Sequence, residues 1–276
     1  TNDSSTYDYS FTNLPKYEGG VEISYSVEEV YPENYEYASK YTSTTNGYDI
    51  TNSHTPEEVE VNGTKTWNDN DNQDGFRPET LTINLYKTVS GTKTLVDSKE
   101  LTTTNENSTY DYSFVNLPKY EDGVEITYSV EEVYPENYEY TSKYTTTPDG
   151  YNFTNSHTPE TIEVNGTKTW DDNNNQDGFR PSSLTINLYK TVSGNKSLVD
   201  SKELTITNSS STYDYSFVNL PKYEGGVKIS YSVEEEYPEN YEYASKYTTT
   251  INGYSITNTH TPEEVEVNGT KNWDDN

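Results

Sequence analysis

The sequence contains no cysteine and no methionine, and it has no run of about 18 apolar residues. The absence of cysteine excludes disulfide bonds and thiolate metal sites. Without a long apolar run there is no predicted membrane span, and the first residues lack the basic and apolar pattern of a secretion signal. Because even an initiator methionine is missing, we expect the chain to be a piece of a longer, processed polypeptide.

Positive charge is also scarce. Lysine and arginine number 18 against 47 aspartate and glutamate residues, so the net charge is −29. A surface of this sign repels nucleic acids and anionic membranes, which argues against both as partners. Hydrophobic residues make up only 29% of the chain, but it contains 29 tyrosines and many β-branched residues. These residue types suit half-buried sheet faces, so we predict an all-β protein whose cores use tyrosine.

The chain is a tandem array with a period of 103 residues. The heptapeptide VNGTKTW occurs at 61–67 and at 164–170, and VNGTKNW follows at 267–273. A period of this size matches a whole domain rather than a solenoid repeat. The array therefore indicates separate domains joined in series.

A Thr-Pro-Glu tripeptide precedes each copy of the heptapeptide, and its proline is a natural break between strands. On this frame two repeats are complete and two are truncated. The predicted domains are the C-terminal part of a truncated repeat at 1–56, complete repeats at 57–159 and 160–262, and the first strand of a further repeat at 263–276.

Alternation of apolar and polar residues predicts seven short strands in each complete repeat. In the first complete repeat the predicted strands cover 58–67, 81–88, 94–102, 110–117, 124–133, 139–147 and 150–156. Seven such strands separated by turn residues are typical of an immunoglobulin-like β-sandwich. No segment has helical periodicity.

Three polar residues fall on inward-facing positions of these strands. Lys65 shares its face with Val61 and Trp67, and alternation also turns Glu132 and Asn155 inward. Burying unpaired charge costs several kcal/mol, so three such residues in one core need a shared reason. The equivalent residues of the second complete repeat are Lys168, Glu235 and Asn258.

Two interpretations of these residues remain open. One is a buried ion pair with the amide as a hydrogen-bonding filler. The other is a reaction, because a desolvated lysine is a neutral nucleophile and a carboxyl group in an apolar site stays protonated and polarises the asparagine carbonyl. Attack of the amine on the carboxamide would expel ammonia and leave a covalent Lys–Asn amide. This would be a single-turnover self-modification and not an enzymatic activity.

Several motifs, in order, resemble one known family. GTKTW, the DNxDGFRP loop, FVNLPKY, YSVEE and FTNSH are similar to the B-type repeat of collagen-binding adhesins, the CnaB domain of Gram-positive surface proteins. The resemblance covers both complete repeats and both terminal pieces. It implies an inverse immunoglobulin-like sandwich with a spontaneous isopeptide bond between a first-strand lysine and a last-strand asparagine or aspartate, promoted by a buried acid.

The resemblance assigns the bond to Lys65 and Asn155 with Glu132 as the acid, and the second set of roles falls on Lys168, Asn258 and Glu235. Counting back from the proline of YPENY would instead select Glu131 or Glu234. Strand alternation favours Glu132 and Glu235, because a paired strand does not slip register freely.

The terminal pieces carry incomplete sets. Glu29 and Asn52 lie in 1–56 without a lysine, and Lys271 lies in 263–276 without its acid and asparagine. Two interpretations are an arbitrary division of a longer array and a head-to-tail polymer in which Lys271 of one chain docks into 1–56 of the next. The polymer has a weakness, because strands equivalent to about 71–103 belong to neither piece.

An Asp/Asn-rich loop in each complete repeat offers a calcium alternative, because its spacing imitates the start of an EF-hand loop. The calcium-like positions are Asn70, Asn72, Asp74, Asn173, Asn175 and Asp177. Leu81 occupies the place of the expected bidentate glutamate, and the other interpretation is a turn whose Asx side chains cap its own backbone. We expect no metal and no cofactor. The histidines each stand alone beside a Thr-Pro joint and are interpreted as junction residues: His54, His157 and His260.

The favoured function is structural. The resemblance implies an extracellular stalk segment of a Gram-positive surface adhesin, anchored to the cell wall outside this segment and stiffened by the isopeptide bonds. We expect its partners to be neighbouring repeats of the same chain and, through the parent protein, a host matrix protein or glycan. The alternative is a repeat array that itself binds the matrix protein or glycan through tyrosine-rich faces.

Overall fold

The computed structural model describes residues 5–275, and the described chain is built from β-strands and three short 3₁₀ helices. The outer ends of the predicted terminal pieces, residues 1–4 and 276, lie outside the described residues. Before the first complete repeat the strands are β1 (Tyr17–Glu18), β2 (Val21–Glu22), β3 (Thr42–Asn46) and β4 (Asp49–Ser53). The 3₁₀ helices are Ala38–Lys40, Thr141–Lys143 and Ala244–Lys246.

Each complete repeat contributes nine strands. Those of the first are β5 (Glu58–Asn68), β6 (Thr80–Val89), β7 (Thr92–Thr102), β8 (Thr109–Pro118), β9 (Tyr120–Glu121), β10 (Val124–Glu125), β11 (Thr127–Val133), β12 (Thr145–Asp149) and β13 (Asn152–Ser156). Those of the second are β14 (Thr161–Asp171), β15 (Ser183–Val192), β16 (Asn195–Thr205), β17 (Thr212–Pro221), β18 (Tyr223–Glu224), β19 (Val227–Lys228), β20 (Ser230–Glu236), β21 (Thr248–Asn252) and β22 (Ser255–Thr259).

The strands of each complete repeat form two main sheets. In the first repeat the orders are β12-β13-β5-β8 and β11-β6-β7, and the second repeat has β21-β22-β14-β17 and β20-β15-β16. Both sheets of a repeat contribute to one shared hydrophobic core. The first strand β5 and the last strand β13 are parallel neighbours, whereas the other pairs in that sheet are antiparallel. The prediction of an all-β, immunoglobulin-like sandwich is confirmed.

The core follows the predicted alternation. On β6, Leu81, Ile83 and Leu85 are fully buried while the threonine and asparagine residues between them are partly exposed. On β5, Val61 and Trp67 are buried on the same face as Lys65. This period of two is what a strand with one buried face requires. Consequently a polar residue on that face, such as Lys65, is buried in the core and shielded from solvent.

Two predicted strands are shorter or divided in the structure. The prediction for 139–147 is wrong at its start, because residues 141–143 form a 3₁₀ turn and β12 begins at Thr145. The turn is closed by the Lys143 amide, which donates to the Tyr140 carbonyl (2.9 Å), while the Tyr140 ring stacks on Phe76 (4.6 Å). The prediction for 124–133 is interrupted at Ile126, whose amide donates to the Lys119 carbonyl (2.9 Å) instead of continuing the ladder.

The glycine of the repeated heptapeptide has a packing role. The ring of Tyr112, from β8, lies over Gly63 of β5, and its hydroxyl donates to the Tyr151 carbonyl beside β13. A Cβ atom at Gly63 would collide with both the carbonyl and the ring. The tyrosine therefore ties together the strands on either side of β5, and only glycine leaves room for it. Gly166 is in the same position in the second repeat.

The terminal pieces are less regular within the described residues. Residues 5–16 and 260–275 contain no strand. The segment that was predicted as a first strand, 263–276, exposes Val265, Val267 and Trp273 over its described part. A strand is stabilised by neighbours that accept its backbone hydrogen bonds and cover its apolar face, and no such neighbour is paired with this segment.

Candidate functional site

The structure brings Lys65, Glu132 and Asn155 together in the first complete repeat. Lys65 is fully buried on β5, and Asn155 is fully buried on the adjacent strand β13. In the parallel register Asn155 lies opposite Trp67, two positions from Lys65 on the same face. Glu132 reaches them from β11 in the facing sheet, where it pairs with Ile83. The site therefore depends on both sheets of the sandwich.

The three side chains are in direct contact. Lys65 Nζ lies 3.1 Å from Glu132 Oε2, and Asn155 Nδ2 donates to Glu132 Oε1 (2.6 Å). The glutamate side chain is only 4% exposed, so the ion pair is shielded from water. Lys65 Nζ also donates to the Thr66 carbonyl (3.2 Å) and lies 4.1 Å from the centre of the Trp67 ring. The carboxylate thus joins the amine to the amide.

The second complete repeat has the same arrangement. Lys168 Nζ lies 3.0 Å from Glu235 Oε2, and Asn258 Nδ2 donates to the same oxygen (3.1 Å). Both Lys168 and Asn258 are fully buried. Lys168 Nζ lies within ion-pair distance of Glu235 but forms no hydrogen bond, so the contact is mainly electrostatic. The two repeats differ in which carboxylate oxygen the amide uses, but the same three residues meet in both, which indicates that the sequence specifies the cluster.

Burial governs the electrostatics of the lysines. Desolvation lowers the pKa of Lys65 to about 8, although the nearby Glu132 carboxylate opposes the shift. Lys168 has its pKa lowered to about 8 for the same reason, with Glu235 opposing. At such a pKa about a tenth of the amine is neutral at pH 7, against less than about one part in a thousand for an exposed lysine. Burial therefore increases the neutral fraction of both amines.

The structure separates the two adjacent glutamates as strand alternation predicts. Glu131 points outward and pairs with Lys93 (2.5 Å), whereas the Glu132 side chain is buried in the core. In the second repeat Glu234 also pairs with a surface lysine, Lys196. The buried carboxylates at the sites are thus Glu132 and Glu235.

The terminal pieces contain parts of the same cluster. Asn52 Nδ2 donates to both oxygens of Glu29 at 2.8 Å, so these two residues meet without a lysine. Lys271 lies in the exposed C-terminal segment, with Nζ 3.8 Å from the centre of the Trp273 ring. The structure therefore brings Glu29 and Asn52 together, and Lys271 contacts a neighbouring side chain of its own segment.

The Asp/Asn-rich loop is organised by hydrogen bonds within the protein. Asn72 Oδ1 accepts from the Arg77 amide (2.9 Å), and the Asn72 amide donates to Asp69 Oδ1 (3.1 Å), which is the predicted Asx capping. Asn70 and Asn173 each donate to a glutamine three residues later, and Asn175 repeats the contacts of Asn72. Among the described residues no group of three or more histidine, aspartate or glutamate side chains is arranged to hold a metal ion.

The aspartates of this loop contact the histidines beside the Thr-Pro joints. Asp74 Oδ2 lies 2.9 Å from His157 Nε2, and Asp177 makes the same contact with His260. Each of these histidines also contacts a lysine carbonyl through Nδ1 at 3.0 Å. His54 has a ring contact with Tyr41 (5.5 Å). These histidines thus stabilise the ends of their repeats.

Sequence reasoning missed three features near the site. Tyr134 accepts a hydrogen bond from Asn155 Nδ2 (2.6 Å), and Tyr237 accepts one from Asn258 (2.6 Å). The Trp67 ring contacts two cations: Lys65 Nζ lies 4.1 Å from its centre, and the Arg77 guanidinium lies 6.0 Å from it. Asp69 and Arg77 form a fully buried ion pair (2.5 Å) below the loop. Of these, Tyr134 had a signal, because it lies two residues after Glu132 and so shares its face.

Comparisons with known proteins agree with this architecture. The family model described as Cna protein B-type domain matches residues 1–53, 61–156 and 164–259. A collagen adhesin from Staphylococcus aureus is 38% identical over 99% of this chain, which spans 21% of that protein. The crystal structure of two B repeat units of the S. aureus collagen binding protein is 36% identical, with a TM-score of 0.53 over 91% of this chain and 61% of the other.

The chain therefore spans about a fifth of the adhesin and less than two thirds of the two-repeat structure. In the part of the chain that the structure describes, no helix has the length and apolar character needed to cross a bilayer. The family model covers three segments that together make up most of the sequence. The chain belongs to the family of Cna protein B-type repeat domains.

Proposed function

We propose that this chain is a stalk segment of a Gram-positive surface adhesin in which each complete repeat forms its own Lys–Asn isopeptide bond. The observation that carries the proposal is the buried contact of Lys65 with Glu132 and of Glu132 with Asn155, repeated at Lys168, Glu235 and Asn258. A reaction between amine and amide requires both groups to meet at one acid inside a closed core, and these contacts bring them together there.

The chemistry is a transamidation within the folded chain. Transfer of a proton from the Lys65 ammonium to the Glu132 carboxylate gives a neutral amine beside a neutral acid. The amine attacks Asn155 Cγ, a C–N bond to Nζ forms, the bond to Nδ2 breaks and ammonia leaves. The closed core protects the product from hydrolysis. Because each lysine and each asparagine reacts only once, this is a single-turnover self-modification rather than an enzymatic activity.

The bond would act mechanically because of where it lies. Force enters a repeat at its first strand and leaves at its last, and in the first complete repeat these are the parallel neighbours β5 and β13. Without the bond, separation of these strands breaks hydrogen bonds that contribute about 1 kcal/mol each. With it, the load passes through a covalent amide. Such repeats suit a projecting stalk.

Contacts across the joint support neighbouring repeats as partners. Glu160, in the Thr-Pro-Glu segment, accepts from Lys143 (2.5 Å) on one side and from Lys222 (2.6 Å) on the other. These two ammonium groups lower the pKa of Glu160 to about 2, so the contacts persist until the pH falls to that range. The Phe76 ring lies between Tyr140 (4.6 Å) and Tyr223 (5.8 Å). We propose that these contacts define the angle between repeats.

Intact-mass measurement of the denatured chain tests the proposal. We expect a deficit of about 34 Da, which is two ammonia molecules. Lys65→Ala and Asn155→Ala each remove one of the two losses, and Glu132→Gln abolishes or greatly slows the same one. Glu131→Gln is the matched control and leaves both losses intact, because Glu131 points outward and pairs with the surface lysine Lys93.

A second candidate is that the repeats themselves bind a host matrix protein or glycan. It is favoured by the similarity to a collagen adhesin, of which this chain spans 21%. A pull-down with collagen and the isolated 276-residue chain separates the two proposals. Retention on collagen would support binding by the repeats, and passage through the column would leave the stalk role. In either case we propose an extracellular, cell-wall-anchored location with the anchor elsewhere in the parent protein.

A further inference from the structure

The tyrosine that follows each buried glutamate contacts the reacting amide. Tyr134 lies two residues after Glu132, and its hydroxyl is 2.6 Å from Asn155 Nδ2. Tyr237 makes the same contact with Asn258 at the same distance. Each ring is held by a stacked tyrosine four residues later, with centroids 5.1 Å apart for Tyr134 and 5.2 Å apart for Tyr237. The hydroxyl is therefore positioned rigidly at the site.

The carboxamide of Asn155 is only half satisfied in this arrangement. Its nitrogen donates to both Glu132 and Tyr134, whereas its oxygen is buried without a hydrogen-bond partner. Asn258 has the same imbalance. A buried acceptor without a hydrogen-bond partner is unfavourable. This orientation suits an ionised glutamate, which can only accept hydrogen bonds.

Proton transfer from lysine to glutamate reverses that preference. Once Glu132 is protonated by Lys65, across 3.1 Å, it becomes a hydrogen-bond donor. A half-turn of the Asn155 carboxamide exchanges its nitrogen and oxygen without a change of shape. Oδ1 then occupies the position that lies 2.6 Å from both the Glu132 carboxyl and the Tyr134 hydroxyl. Both groups have a hydrogen to donate to it.

We propose that Tyr134, and Tyr237 in the second repeat, are catalytic residues that donate the second hydrogen bond of an oxyanion hole for isopeptide formation. This proposal rests on the proposed self-crosslinking function. Attack of the Lys65 amine moves the carbonyl electron pair onto Oδ1, where the two donors stabilise the charge. One Nζ proton ends on Nδ2, ammonia leaves, and the carbonyl re-forms. Glu132 and Tyr134 end the step with the protons that they had at its start.

The test is the rate of ammonia loss after refolding of the full chain. The unreacted chain is isolated from inclusion bodies in denaturant, diluted into buffer and sampled for intact mass. For Tyr134→Phe we expect one repeat to react at the wild-type rate and the other about 10²–10³-fold more slowly, the usual effect of removing one oxyanion donor. The intact Tyr237 site is the internal control. Tyr128→Phe is the matched variant, because the Tyr128 hydroxyl donates to the Pro118 carbonyl (2.8 Å) and not to the amide, and it should react like the wild type.

A pH series distinguishes loss of the donor from a damaged core. If Tyr134→Phe removes only a donor, the slow site reacts more slowly at every pH. The pH at which its rate is half-maximal then stays near the lysine pKa of about 8. If that half-maximal pH moves towards 10.5, the ordinary pKa of lysine, water has entered the core around Lys65. This result would overturn the catalytic role of Tyr134. Equal rates for Tyr134→Phe and wild type would also overturn it. If the wild type itself loses no ammonia, the self-crosslinking function fails and not merely this residue's role.

Discussion

Asn155→Ala should lower the thermal stability of one repeat and leave the other unchanged. The proposed bond joins positions 65 and 155 and closes a loop of about 90 residues, for which chain entropy gives about 5 kcal/mol of stabilisation. The substitution removes this constraint but leaves the Lys65–Glu132 ion pair in place. Lys65→Ala would be less informative, since it also leaves a buried carboxylate without its cation. For a domain of about 100 residues, about 5 kcal/mol corresponds to a fall in Tm of roughly 20–40 °C.

Differential scanning calorimetry measures this effect within one molecule. The wild type should unfold at high temperature, whereas Asn155→Ala should give two transitions, one displaced downward and one at the wild-type position. Asn258→Ala should displace the other repeat by a similar amount, because the proposed bond between positions 168 and 258 closes a loop of the same length. A single unshifted transition for Asn155→Ala, or a shift of only about 1–2 kcal/mol as expected for a lost hydrogen bond, would refute the covalent explanation.

Three further results are expected. The rate of bond formation should be nearly constant from pH 6 to about pH 8 and fall above it, since the pair reacts with one proton that Lys65 passes to Glu132, and this proton is lost as the pH rises through the lysine pKa of about 8; a stopped-time mass series that keeps rising from pH 6 to pH 9 would contradict this. Gly75→Ala should alter the angle between repeats in small-angle scattering, because its Cβ would collide with Gly226, whereas Gly178→Ala has the same positive φ but no such neighbour and should not. Equal scattering profiles for the two variants would argue against the proposal that the contacts across the joint define the angle between repeats. Addition of a chelator should leave Tm unchanged, because Asn72 and Asp74 already bond to protein groups; a fall in Tm would restore the calcium interpretation.

The sequence pattern was sufficient to identify the buried polar residues. Strict alternation on β5 and β11 predicted that Lys65 and Glu132 face inward, and it separated Glu132 from Glu131. This succeeds because a side-chain period of two leaves each strand residue only two possible faces. The proposed bonding of these residues remains a prediction, to be tested by mass.

Contacts between distant strands could not be predicted in the same way. The parallel pairing of β5 with β13 joins residues about 90 positions apart, and no local pattern encodes it. The Asp69–Arg77 pair lies at the Asp/Asn-rich loop, and no local pattern shows that the fold buries both side chains. The 3₁₀ turn at 141–143 was missed because tyrosine favours strands in general, whereas here Tyr140 stacks on Phe76.

Tandem mass spectrometry of a protease digest tests the central claim most directly. If the repeats crosslink themselves, the digest contains branched peptides in which Lys65 Nζ is joined to Asn155 Cγ, and Lys168 Nζ to Asn258 Cγ, each with one ammonia missing. Linear peptides that carry an unmodified Lys65 and an unmodified Asn155, from a correctly folded chain, would contradict the account.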